Sequence, residues 1–257
     1  MKKLIKKLIY DMTGYKITKD IKSVIPVGSD KRPIGEMEAF LEDVKLRGLD
    51  CKFILDVGAN RGDWSRMAKK VFPYCDFGLI EPQIEMKLYL DNFVDQHKST
   101  VVFMAGAGSK EGHLTLTVSD DMVGSSFLHN VEDASFSKSE QRLIDIITID
   151  SLIEEKKIKI LDLIKLDVQG FELEVLKGAT KTFGYTDIYI IETSLFHFSD
   201  LPGMPDFAEV VNFMLDKDYV VYDFAGFLRR PLDGALGQTD ICFVKRNSFL
   251  RKSNDWG

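Results

Sequence analysis

The chain has 257 residues, 45% hydrophobic and 29% charged, which suits one soluble globular domain with a substantial core. Its formal net charge of -6 and pI near 5.4 disfavour general polynucleotide binding, which needs clustered positive charge against phosphates, so no nucleic-acid partner is expected. The three cysteines, Cys51, Cys75 and Cys242, are odd in number and far apart, which points away from a disulfide framework or zinc site and towards a reducing, cytoplasmic setting.

At the N-terminus, Leu4, Ile5, Leu8, Ile9 and Met12 fall at helical spacing between lysines, predicting a short amphipathic helix over 2–12. Such a helix packs on its own domain or on a second subunit of a homo-oligomer; contact with an anionic membrane surface is the secondary reading. No stretch approaches the roughly 18 to 20 apolar residues of a membrane span. A second helix is expected over 35–47. Residues 1–50 are read as a helical extension, 51–246 as the main domain and 247–257 as a tail.

From Phe53 the pattern alternates. Apolar runs at 53–57, 77–80, 101–104, 163–166 and 188–191 are separated by stretches of helical period at 64–71, 83–94, 172–177 and 207–217. Buried strands alternating with helices predict an α/β fold with a doubly wound, mostly parallel sheet. The runs at 219–224 and 240–244 lack a helix between them and read as an antiparallel C-terminal hairpin. One insertion interrupts the order: 112–118 alternates like a half-buried strand, and 119–142 is long and polar, as a lid or a mobile loop would be.

The first strand ends in Asp56-Val-Gly58-Ala-Asn60-Arg-Gly62-Asp63, followed by a helix. Small residues there let the chain turn tightly and let a ligand approach the helix amides. A dinucleotide fingerprint would place glycines at 58, 60 and 63, where the chain has Gly58, Asn60 and Asp63. Aspartate at that point repels a pyrophosphate, which disfavours a nicotinamide-dependent oxidoreductase. S-adenosylmethionine has no phosphate and tolerates it. Glu81 closes the second strand, where a carboxylate can accept both ribose hydroxyls. Small side chains around Ala107, after the third strand, leave room for a flat adenine.

With Ile164-Lys165-Leu166-Asp167-Val-Gln169-Gly170-Phe-Glu172-Leu-Glu-Val-Leu-Lys177-Gly178 added to Leu55-Asp-Val-Gly-Ala-Asn-Arg-Gly62, the sequence resembles the FkbM-type methyltransferases from about Phe53 to Val244. The resemblance implies a Rossmann-like class I methyltransferase fold with a seven-stranded sheet and helices on both faces. It also implies adenosylmethionine as donor and hydroxyl acceptors among sugars, glycans and related small metabolites. Many members carry glutamate where this chain has Gln169.

Methyl transfer to a hydroxyl needs a positioned acceptor and somewhere for its proton to go. Asp167 and Glu192, at the ends of the fourth and fifth strands of the main alternation, are the acidic candidates for this role. A divalent cation such as magnesium between them is the second possibility; for each, helix capping or local hydrogen bonding is the alternative. His197, on the loop after Glu192, is the candidate imidazole base, and His129 could reach over the pocket if its loop is a lid. Lys165 either orients an acceptor or places its backbone against the methionine moiety. Asp56, Gly58, Asn60, Gly62, Glu81, Ala107 and Lys165 form the expected cofactor set. A catalytically silent scaffold keeping the same fold is the rival from another class.

Overall fold

Runs of β-branched and large apolar residues form the strands because both of their faces are covered. Strand β1 (Phe53–Val57) is buried along its whole length. Ile54 points into a cluster with Phe40, Ala68, Val71, Leu90 and Phe93, while Phe53, Leu55 and Val57 face a second cluster with Leu152, Val175, Leu176 and Met214. Helices therefore cover both faces of the sheet, as full burial of a parallel strand demands. The computed structural model describes residues 32–128, 139–199 and 201–256; the helix expected over 2–12 and His129 lie outside them.

Helix α1 (Met37–Leu46) precedes β1, followed by α2 (Asp63–Val71), β2 (Asp76–Ile80), α3 (Lys87–Gln96), β3 (Thr100–Phe103) and the two-residue β4 (Gly106–Ala107). Then come β5 (Gly112–Thr117), β6 (Gln141–Ile147), α4 (Ile149–Glu154), β7 (Leu163–Leu166), α5 (Glu172–Lys177), β8 (Ile188–Ser194), α6 (Phe207–Asp216), β9 (Tyr219–Arg229) and β10 (Leu236–Lys245). The seven-stranded sheet has the order β3-β2-β1-β7-β8-β10-β9. Its strands are parallel except β10, which inserts antiparallel between β8 and β9. The order reverses between β1 and β7, and the crevice above that switch point is where open α/β sheets bind ligands.

Three sequence expectations are corrected. The expected boundary at residue 50 moves to 33, because Pro33–Gly257 is one compact unit and α1 buries Phe40, Leu41 and Val44 in the same core as Ile54. The expected tail also belongs partly to this unit, since Phe249 and Leu250, in a 3-10 turn, pack against that core. Finally, the polar stretch over 119–142 ends in a strand: β6 pairs antiparallel with β5 and parallel with β4 in a second, three-stranded sheet. β6 exposes alternate residues to solvent, and Gln141, Arg142 and Asp145 interrupt its apolar residues, so it did not stand out. Helix α4, capped by the Thr148 side chain on the Ser151 amide, was also unforeseen.

Candidate active site

Above the switch point lies a cleft lined by the ends of β1, β2 and β7. Its floor is the turn after β1. Gly58 adopts a left-handed φ of +80°, and a Cβ there would lie 1.8 Å from the Asp167 carbonyl oxygen. Only glycine lets β1 and β7 approach so closely at this point. Gly58→Ala should therefore lower stability by more than the roughly 1–2 kcal/mol of a left-handed alanine alone, read as a fall in thermal midpoint. Asn60, also left-handed at φ 46°, suits the turn because its side chain accepts from the next amide, that of Arg61, at 2.8 Å.

Glu81 is 2% exposed at the end of β2 and lines the cleft. One of its carboxylate oxygens accepts the Asn60 amide and the other the Gln83 amide, both at 2.8 Å. Burial pushes its pKa up to about 7, against the opposing pull of those amides. Each oxygen keeps further acceptor capacity. Behind the turn, Asp56 is buried and one of its oxygens accepts the Ser65 hydroxyl at 2.6 Å. The other, Oδ1, has no partner among the described residues. Burial raises this carboxyl to about 6, with Lys165 and Ser65 pulling the other way.

A strap over residues 119–127 crosses the cleft. The Asp121 carboxylate accepts the Val123 and Gly124 amides and folds the strap into a tight turn. The Gln83 amide group clamps it, donating to the Met122 carbonyl at 2.9 Å and accepting from the Ser125 hydroxyl at 3.1 Å. Ser126 donates to the Gln169 carbonyl at 2.7 Å. Val123, Ser125 and Phe127 face the cleft.

On the β7 side the charges are concentrated. Lys165, buried, donates to Asp167 at 2.8 Å. Burial opposes its charge, but Asp167, Asp56 and Asp240 more than offset that and hold the ammonium above its ordinary range. The Gln169 amide nitrogen donates to both Asp167 and Glu192 at 2.9 Å, and Gln238 reaches the same Glu192 oxygen at 3.3 Å. Burial pushes Asp167 up, yet Lys165 and the surrounding donors outweigh it and keep the carboxylate low. Glu192 goes the other way, raised by burial and by the Asp167 charge. The two act as a pair in which Glu192 holds the proton.

Of the expected site residues, Gly58, Asn60, Glu81, Ala107 and Asp167 line the cleft together. Asp56 and Lys165 back it from beneath, Gly62 turns the chain into α2 with φ +76°, and Glu192 is joined through Gln169. His197 is not brought to this group. It is exposed, 3.4 Å from Asp206 at the start of α6, because the chain leaves β8 outward at Leu195. His197→Ala should accordingly leave cofactor affinity and thermal stability within about 0.5 kcal/mol of the parent.

The expected magnesium site fails on its donor set. Asp167 and Glu192 both receive Gln169 N–H groups, and the Lys165 ammonium already neutralises Asp167, so donors and a cation stand where a metal would need lone pairs. Gln83 was missed by sequence reasoning, whereas the strap falls in the 119–142 stretch read as a lid or a mobile loop. Glu172 is buried, and one of its oxygens accepts the Val168 and Gly170 amides just ahead of α5, as expected of a helix-start carboxylate.

Sheet order, glycine turn and acidic end of β2 define a Rossmann-like domain of the class I methyltransferase kind. The methyltransferase FkbM domain matches residues 56–221, and the chain belongs to that family. A curated relative, Methyltransferase 1 of Beauveria bassiana (strain ARSEF 2860), is 27% identical over 152 residues, which are 50% of this chain and 59% of that protein. Among solved structures, a methyltransferase FkbM from Methylobacillus flagellatus KT is 20% identical with a TM-score of 0.49, covering 75% of this chain and 44% of that one. A Burkholderia thailandensis 1,6-didemethyltoxoflavin-N1-methyltransferase is 9% identical with a TM-score of 0.45, covering 81% of this chain and 78% of that one. The chain thus spans under two thirds of the curated relative and of the Methylobacillus flagellatus structure. Among the described residues no helix is long and apolar enough to cross a membrane.

Proposed function

We propose that the protein is an S-adenosylmethionine-dependent O-methyltransferase acting on a hydroxyl of a sugar, glycan or related small metabolite. The observation that carries this reading is Glu81, whose two buried oxygens line the cleft beside a turn that has Asp63 where a dinucleotide fold needs glycine. The residues present fit the cofactor. Glu81 suits the ribose diol, and the small chain around Gly106 and Ala107 suits adenine. The carboxyl groups that line the cleft, Glu81 and Asp167, suit a molecule bearing ammonium and sulfonium charges.

When bound, adenosylmethionine would supply an electrophilic methyl group for the acceptor oxygen, with the thioether as leaving group. The protein's share is position and proton. Asp167, lining the cleft and held ionised by Lys165, receives the proton that the hydroxyl loses, and Gln169 fixes its orientation. Glu192 stands behind it as the second carboxyl of the pair. Calorimetry with adenosylmethionine and with NAD tests the assignment. Micromolar binding of the first alone supports it, and NAD binding, or neither, sinks it. Methyl-labelled donor incubated with cell glycans and metabolites then separates transfer from silent binding.

A further inference from the structure

A second cavity, of about 290 Å³, adjoins the cofactor cleft. The two share Gln169, and the strap divides them residue by residue: Val123 and Ser125 face the cleft, while Gly124 between them faces the second cavity. Its walls are Phe198, Leu201, Leu228 and Pro231, and its polar floor is Gln169 and Gln238. Both amides donate to Glu192, so this floor leads directly to the carboxyl pair.

We propose that this second cavity is the acceptor site, and that it takes an uncharged ring carrying a hydroxyl and an apolar face. The assignment rests on the methyl-transfer reading. Four apolar walls match a ring face, whereas a freely charged group would lose hydration against them. The floor offers little to an anion, because the amide N–H groups of Gln169 and Gln238 already donate to Asp167 and Glu192. The arginines at the rim are engaged. Arg230 grips Asp233 through two hydrogen bonds and lies 4.1 Å over the Phe196 ring, and Arg229 donates to the Gly234 carbonyl at 2.9 Å. What remains for the acceptor's polar side is the amide floor, which suits a hydroxyl. The strap makes the cavity's inner wall, so a bound cofactor and the acceptor meet across Gln169.

Saturation-transfer NMR on the full chain, saturated with S-adenosylhomocysteine, tests this with cyclohexanol and glucose 6-phosphate as probes. Cyclohexanol should receive transfer and the phosphorylated sugar should not. Leu228→Asp, at a 58% exposed position that the fold does not depend on, should weaken cyclohexanol binding about tenfold, or ~1.4 kcal/mol. S-adenosylhomocysteine affinity, measured on the same samples, should not move. Equal or stronger transfer to glucose 6-phosphate, or indifference of cyclohexanol to Leu228→Asp, overturns the assignment while leaving the methyl-transfer reading intact. Failure of S-adenosylhomocysteine to bind at all removes that reading and this one with it.

Discussion

Glu81→Ala should reduce S-adenosylhomocysteine affinity on the order of several hundred-fold. Two hydrogen bonds from ribose hydroxyls to a buried carboxylate contribute about 1.5–3 kcal/mol each, so losing both removes about 3 kcal/mol or more. The same substitution strips the Asn60 and Gln83 amides of their acceptors, so thermal stability falls as well. Glu81→Gln separates the two effects: it preserves shape and one acceptor oxygen, and should cost roughly half as much in affinity with a smaller fall in melting temperature. The pH dependence has a definite sign. Burial raises Glu81 to about 7, and a protonated carboxyl forfeits acceptor capacity, so wild-type affinity should fall as pH drops from 8 to 5.5. Asp56, raised to about 6, adds to the lower part of that window. Calorimetry across this range should show a much flatter profile for Glu81→Gln; an equally steep one would assign the titration to another group and free Glu81 of its role.

The cleft beside the β1 turn was legible because its determinants are local. Gly58, Asn60 and Gly62 sit within one turn, and Glu81 ends a strand whose apolar run is unmistakable, so spacing alone places them above the sheet. The strands of the main sheet were legible because most of them carry a short apolar run, and the central parallel ones are buried on both faces. What sequence could not supply was side-chain direction and long-range pairing. Nothing local marks Gln83 as the clamp on Met122, 39 residues away, or Gln238 as a partner of Glu192, 46 residues away. His197 looked well placed because five residues separate it from Glu192, but the chain turns outward after β8 and carries it to solvent. β6 escaped notice because a strand with one face in water, and three of its seven residues polar or charged, reads locally as the end of the long polar stretch before it. The role of α1 was hidden because its amphipathic pattern fits an appended helix as well as one built into the core.

Replacing Lys165 should be the most damaging change in the β7 half of the site. Its ammonium is buried among Asp56, Asp167 and Asp240, and it donates to Asp167 at 2.8 Å. Removing one partner of a buried pair leaves an uncompensated charge, at a cost of about 3–5 kcal/mol. Lys165→Met should therefore lower the urea midpoint strongly at pH 7.5. The direction with pH follows from which groups lose their cation. In the parent, Asp167 is held below its ordinary value, so the stability the pair contributes is present above the unfolded aspartate pKa and is lost as pH falls through the folded one. In Lys165→Met the same carboxyls are raised above their unfolded values, and the penalty grows as pH rises through their folded pKa values. The deficit relative to the parent should thus be largest near pH 8 and shrink towards pH 5. Adding Asp167→Asn to Lys165→Met should recover a substantial part of the loss, a coupling that contacting residues show and distant ones do not. A deficit that is independent of pH, with no recovery in the double variant, would mean that Lys165 acts by packing against Trp64, whose ring lies 6.0 Å from its ammonium. Asp167 would then owe its ionisation to Gln169 rather than to the lysine.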